Sequence, residues 1–346
     1  MRPVPQTLNH QMSLLHLSEQ SFRTDRLTGV FAVPLTADTA AGYAILPGLL
    51  TRSCAAYPTL AQFSRRLDEL YGTTLTIRNY LHGDNHVVCY TAEMAEQAFL
   101  PPADAHMDIL GGVMELLSDM ILRPLTDGDG CLRVDAVEKE KQSLCDSLRS
   151  LRNDTRAYAG NRLREIMCAG EPYGLSIGGT VEQVMAITPA QVTARHKALL
   201  TATRMEVFYT GRASADTVAA AWNKAFVGWM PALADTPATT RHLPAATPVR
   251  VSEDMEVSQG KLCMGFTSPI TNRTEEFPAM QLLNTIFGSG MTSKLFMNVR
   301  EKMSLCYSIG SGYYGTKGIL VVSAGIDFDK EQLTRQEALR QLQLCR

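Results

Sequence analysis

The stretch IFGSGMTSKLFMNVREKMSLCYS, Ile286 to Ser308, decides how the rest of the chain is read. A Gly-Ser-Gly turn at Gly288, Ser289 and Gly290 opens a short amphipathic helix in which apolar Leu295, Phe296 and Val299 recur at helical spacing. That helix ends in a charged turn before a strand carrying Tyr307, so Arg300 and Tyr307 stand on either side of a helix-to-strand corner. Glycines let backbone N–H groups approach a ligand closely, a cation at a helix end can face a carboxylate or an oxyanion, and a phenol can donate one hydrogen bond. Taken alone, the same residues are more simply a solvated helix cap and a half-buried strand tyrosine.

Around this stretch lie 346 residues, more than one ordinary core accommodates, so two domains or a repeat are expected. Hydrophobic content of 45% and charged content of 20% are those of a soluble globular protein. A net charge of -2 and a pI near 6.4 offer no basic field for nucleic acid and no polybasic membrane patch. The N-terminus has Pro3 and Pro5 and no uninterrupted apolar core of signal-peptide length, no segment approaches a membrane span, and the protein reads as cytoplasmic. Eight scattered cysteines with no CxxC suit neither a zinc ribbon nor a disulfide framework and read as reduced, structural thiols.

Working outward, strand and helix patterns recur in order. Phe22 to Leu35 has strand content, and Ala41 to Leu50 reads as the start of a buried helix with Pro47 near its first turn. Leu60 to Tyr71 is an amphipathic helix stopped by Gly72. Thr74 to Leu81 and His86 to Thr91 form a hairpin across His82 to Asn85, and helices follow over Met107 to Leu122 and about Val134 to Leu151. Thr180 with Gln183, and Thr188 with Gln191, carry the spacing of capping boxes and mark two helix starts. Met205 to Tyr209 reads as a strand and Ala213 to Val227 as a helix, and then the composition turns to Ala, Thr and Pro.

The domains expected are therefore residues 1–229, a linker at 230–248, and residues 249–346. The second half repeats the grammar of the first: a strand at Lys261 to Thr267, a helix at Phe277 to Phe287, the glycine turn, the Leu295 helix, two strands and a final helix, Lys330 to Arg346. Leu342 and Leu344 near its end have no following element to cover them, the expectation for a second domain incomplete at its C-terminus.

These stretches together resemble the M16 peptidase family, the insulinase, pitrilysin and mitochondrial-processing-peptidase group, over nearly the whole length. In the first half SFRTDRL, VPL and ILPGLLTRSCAAYPTLAQFSRRLDELYGTTL are similar to the family's opening strands and helices, most of all to a Gram-positive branch of small subunits. GGTVEQVMAITPAQVTARH, from Gly178, looks like its late helices. The resemblance implies an α+β fold of two similar domains, the LuxS/MPP-like metallohydrolase fold, each a mostly antiparallel sheet covered by helices in a clam-shell arrangement. It implies that Gly288, Ser289 and Gly290 form a substrate-binding loop, with Arg300 and Tyr307 holding substrate against a metal.

One departure outweighs the match. Active members carry His-x-x-Glu-His on the first helix, two histidines a turn apart binding one zinc while the glutamate activates its water. Here the aligned residues are Ile45, Gly48 and Leu49, and Ser147 aligns with the third-ligand glutamate while Glu140 remains on the preceding turns. No metal or other cofactor is expected. Nor does the alternative H-x3-H-x2-C set of His82, His86 and Cys89 point to a metal, because the hairpin directs His86 and Cys89 to opposite faces. His196 and His106 read as surface helix residues.

The function the resemblance implies is a non-catalytic subunit, not an enzyme on its own, that pairs with a zinc-bearing paralogue and lends the loop, Arg300 and Tyr307 in trans to a peptide or protein substrate. A different class of function is a peptide-binding adaptor. The Gram-positive branch is named for association with 5-aminopentanol modification of elongation factor P, which adds a translation-factor pathway as a setting for that alternative.

Overall fold

The computed structural model describes residues 4–8, 12–202, 205–231, 238–245 and 247–345. Two compact units divide it: Met1–Leu148 with Leu175–Pro237, and Arg149–Gly174 with Ala238–Arg346.

In the first unit the strands are β1 (Val4–Thr7), β2 (Ser13–Ser18), β3 (Thr24–Pro34), β4 (Thr74–His82), β5 (Asn85–Ala95) and β6 (Met205–Gly211), in the order β1-β2-β6-β3-β5-β4. Neighbours are antiparallel except β2 and β6, which run parallel. Alternation along β3 sends Leu27, Phe31 and Val33 into the core at 5% exposure or less, which fixes the register against β5. Gly83, at φ +58, and Asp84 make the two-residue turn of the β4–β5 hairpin, where Asp-Gly-type chemistry matches the strand twist. Strands β1 and β2 were not foreseen; Pro5 sits in β1, which is an edge strand and tolerates a missing N–H donor.

Helices α1 (Ala37–Leu50), α2 (Leu60–Glu69), α3 (Ile109–Leu122) and α4 (Val134–Ser150) follow, with α6 (Val181–Ala186), α7 (Pro189–Ala202) and α8 (Ala215–Ala225) around β6. The expected caps form: Thr180 and Gln183 bond reciprocally at the start of α6, and Thr188 and Gln191 do so at α7. Pro47 lies in the last turn of α1, not the first, because the helix begins four residues earlier, at Ala37. A helix-interior proline leaves the carbonyl four residues back without its N–H. That carbonyl, on Tyr43, accepts a 2.9 Å bond from Asn79 Nδ2 of β4 instead.

The second unit carries β7 (Gly260–Thr267), β8 (Cys306–Tyr314) and β9 (Ile319–Ile326), ordered β7-β9-β8 and antiparallel. Its helices are α9 (Phe277–Gly288), the eight-residue π-helix Leu295–Lys302, and α10 (Glu331–Gln343). The order of one strand, two helices, a hairpin and a helix matches β3, α1, α2, β4, β5 and α3, and β7-β9-β8 reproduces β3-β5-β4. The strand-then-helix repeat read from the sequence is therefore a repeat of topology.

Residues 149–174 had been assigned to the first domain, but they cluster in the second unit. The reason is α5 (Thr155–Met167), whose Leu163 and Met167 lie against the bare backbone of Gly265 on β7. Of the expected linker, residues 232–237 and 246 lie outside the described residues. At the far end Leu342 and Cys345 pack against the second core, contrary to the expectation of an uncovered face, while Leu344 is 52% exposed. No helix among the described residues is long and apolar enough to cross a membrane.

Candidate functional site

Two places answer to the residues singled out above, one in each unit. The first is the α1 turn where active relatives of the sequence would bind zinc. Ile45 and Leu49 are buried in the first core, 2% and 9% exposed. Gly48 has no side chain, and its place is filled from α4: a Cβ there would stand 2.0 Å from Glu140 Oε2. Glu140 Oε1 lies 3.2 Å from Arg52 Nη2, and the Glu140 side chain is 12% exposed. Ser147, two turns further along α4, is exposed and donates 2.9 Å to the Ser143 carbonyl. The α4 residue facing α1 is thus Glu140, one of the two alignments left open by the sequence, and not Ser147. One carboxylate, already ion-paired, among two apolar side chains does not fit a zinc ion that needs three protein ligands. No step involving zinc is built on α1.

His82, His86 and Cys89 are likewise separated. His86 is fully buried, edge-to-face with Tyr43 at 5.6 Å between ring centroids, and Cys89 is on the other face of β5, 3.7 Å from Thr91 Oγ1. Burial drives the His86 pKa down to about 4. His196 is not a surface residue: it is 4% exposed and bonds the Ile121 carbonyl at 2.9 Å. His106 is exposed, in a turn and not on a helix.

The second place is the stretch Ile286–Ser308. Gly288 ends α9, and Gly290 adopts φ +115, a conformation closed to residues with a Cβ. Ser293 Oγ donates 2.7 Å back to the Gly290 carbonyl and holds the loop. The glycine loop lines a cavity of about 460 Å³ with Phe296 and with Ile309 to Gly312 of β8. Gly310 and Gly312 contribute no side chain to that wall, while Arg156, Met291 and Tyr314 also line it.

The helix after the loop is a π-helix, a rare form frequently found at functional sites, and Met303 N–H closes on the Asn298 carbonyl at 3.1 Å. The chain turns into β8 at Ser304, which has φ +49, an uncommon conformation for serine. Arg300 and Tyr307 meet across this corner. Arg300 Nε donates 2.9 Å to the Tyr307 carbonyl, its guanidinium lies 4.6 Å over the Phe296 ring, and Nη1 contacts Glu301 at 2.8 Å. Phe296 therefore joins the cavity wall to Arg300, a role signalled in the sequence only by an aromatic one turn before the arginine.

Tyr307 is 59% exposed and its hydroxyl donates 2.8 Å to Asp327 Oδ1. That bond raises the phenol pKa, while Lys330 first and then Tyr307 hold the Asp327 carboxyl below the usual range. The register of β8 on β9 slips between Cys306 and Ser308, so Tyr307 is the surplus residue of a β-bulge. Neither Arg300 nor Tyr307 is among the residues lining the cavity.

Residues 186–344 match the family model of the Peptidase M16 inactive domain. The chain is 30% identical over 309 residues to the probable inactive metalloprotease YmfF of Bacillus subtilis, covering 89% of this chain and 71% of that protein. The fold is similar to a conserved protein of Enterococcus faecalis (TM-score 0.86, 23% identity, 100% of this chain and 79% of that one). It is also similar to a peptidase M16 inactive domain from Pseudomonas fluorescens (TM-score 0.75, 16% identity, 99% of this chain and 78% of that one). With its zinc turn replaced by Ile45, Gly48 and Leu49, the chain is no zinc peptidase on its own. It belongs to the M16 peptidase family, and its similarity is to members described as inactive.

Proposed function

We propose that the chain is the non-catalytic, substrate-binding partner of a paralogue carrying His-x-x-Glu-His. In this reading the Gly288–Gly290 loop and the glycine-rich wall of β8 take an extended peptide, and Arg300 and Tyr307 act in trans on its carbonyl oxygen. The observation that carries the proposal is the cavity of about 460 Å³ walled by the glycine loop, with Arg300 seated on its Phe296 lining. β8 is an outermost strand of β7-β9-β8, and the backbone N–H and C=O groups of an edge strand suit main-chain recognition of a peptide. An arginine cation and a phenol donor both suit an oxygen on which negative charge develops. To serve there, the Tyr307 hydroxyl leaves Asp327, a rotation open to a side chain that is more than half exposed.

The test is to make Arg300→Ala and Tyr307→Phe separately and to assay each, with the zinc-bearing paralogue, on a peptide substrate. Loss of an oxyanion donor costs about 3 to 4 kcal/mol, roughly 100- to 1,000-fold in rate, while assembly stays intact. Wild-type turnover from both variants, in a normally assembled complex, would make this chain a scaffold and favour the adaptor function.

A further inference from the structure

The second unit holds a cluster that neither the fold family's zinc position nor the glycine loop uses. Cys168 caps the C-terminus of α5 with its N–H on the Arg164 carbonyl at 2.9 Å, and Glu171 follows in a tight turn with its N–H on the Cys168 carbonyl at 3.0 Å. His242 arrives from a distant, extended stretch, and its N–H is fixed 3.0 Å from the Lys317 carbonyl. A sulfur, a carboxylate oxygen and a ring nitrogen thereby converge, all within 4.8 Å of one another. Cys168 is 0% and His242 7% exposed. Among the described residues, no other set of three such groups comes this close.

We propose that Cys168, Glu171 and His242 form a zinc site that ties the turn after α5 to the 238–245 stretch. Thiolate, imidazole and carboxylate are the three zinc ligand types, with bonds of about 2.0 to 2.3 Å, and a cluster this tight closes on one ion with small side-chain rotations. His242 Nδ1 is 2.5 Å from Glu171 Oε1, a direct hydrogen bond that the ion replaces as the two atoms part to admit it. The other carboxylate oxygen, Oε2, forms an ion pair with Lys317 Nζ at 2.7 Å, an outer partner of the kind that orients zinc-bound carboxylates.

The Cys168 thiolate and the Glu171 carboxylate together offset the dication, and the buried Lys317 ammonium, 2.7 Å from Glu171 and 5.7 Å from the Tyr173 ring centroid, leaves the loaded cluster with one net positive charge. On binding, the thiol proton leaves to solvent, and a proton on His242 Nδ1 is exchanged for the Nε2–H tautomer as Nδ1 takes the metal. Water completes the fourth position. The spacing Cys-x-x-Glu hid this site from a search for Cys-x-x-Cys.

The test uses the whole chain, stripped with a chelator under reducing conditions and then dialysed separately against zinc and cobalt(II). One zinc per chain is expected, together with a thiolate-to-cobalt charge-transfer band. Cys168→Ser abolishes the band, and His242→Ala weakens zinc binding by roughly 100-fold or more, beyond the 10- to 100-fold typical of losing an outer partner. The wild-type cobalt spectrum decides even where a variant fails to fold. Absence of the band from wild type, or retention of stoichiometric zinc by both folded variants, overturns the proposal and leaves Glu171 as a metal-free bridge between Lys317 and His242.

Discussion

His86 shows how much a single side chain can decide. Its ring is fully buried beside Tyr43, and neither nitrogen has a hydrogen-bond partner among the described residues. Burial lowers the pKa of both His86 and His196 to about 4. The unfolded chain, with histidine near 6.5, then binds protons that the folded chain refuses. Stability from these neutral rings is complete above about pH 6.5 and falls as the pH drops toward 4, by up to about 3 kcal/mol for each ring. Urea midpoints should therefore decline across that window. His86→Leu should remove about half of the decline and, by deleting an unpartnered buried imidazole, add about 1 to 3 kcal/mol at pH 7. An unchanged acid slope in His86→Leu would show that the ring titrates normally. The sequence reading correctly set His86 and Cys89 on opposite faces, because strand alternation is legible. It put His196 on the surface, because α7 has apolar residues spread around it and its period does not mark a buried side.

At the level of elements, α1 is the informative case. Its apolar turn was legible, but the residue opposite it was not: Glu140 and Ser147 lie on one helix two turns apart, and only packing selects Glu140. This placement sharpens the expectation for the triple variant Ile45→His, Gly48→Glu and Leu49→His. A glutamate at position 48 would enter the space held by Glu140, whose Oε2 lies 2.0 Å from where a Cβ would stand. Two carboxylates would then share one partly buried spot beside Arg52, and one must ionise less readily or swing away. No zinc-dependent peptide cleavage is expected from the triple variant alone, and its appearance in a purified, paralogue-free sample would contradict this. Capping boxes and hairpin were readable because each is a short residue pattern with its own mechanism. The π-helix was not, since its i to i−5 bonds carry no residue code and Leu295, Phe296 and Val299 fit an ordinary helix equally well. Helix α10 was legible as the final helix, Lys330 to Arg346, but its partly polar inward face was not: Thr334, Glu337 and Gln341 are buried beside Ala338, and Asn298 of the π-helix donates 2.9 Å to Gln341 Oε1.

On the scale of the whole molecule, the repeat of strand, two helices, hairpin and helix was readable from order alone, since each half places its strand and turn signals in the same succession. What order could not reveal was that α5 belongs with the second unit, because the deciding feature is a glycine on β7 with room for Leu163 and Met167. A chain that has kept the glycine loop, Arg300 and Tyr307 while losing the metal turn should form a complex. Co-expressed with a paralogue bearing His-x-x-Glu-His, it should co-purify in a fixed ratio, with peptide cleavage by the pair exceeding that of the paralogue alone. Equal cleavage with and without this chain would argue for an adaptor.

The bulge at Tyr307 has a further consequence. Because that tyrosine is the extra residue opposite β9, loss of its single codon would restore even pairing from Cys306 to Tyr314 without changing which way any later side chain points. A point substitution removes the hydroxyl and leaves the kink; an in-frame deletion removes both. The phenol of this chain can thus be removed together with its kink, leaving the ladder on either side intact.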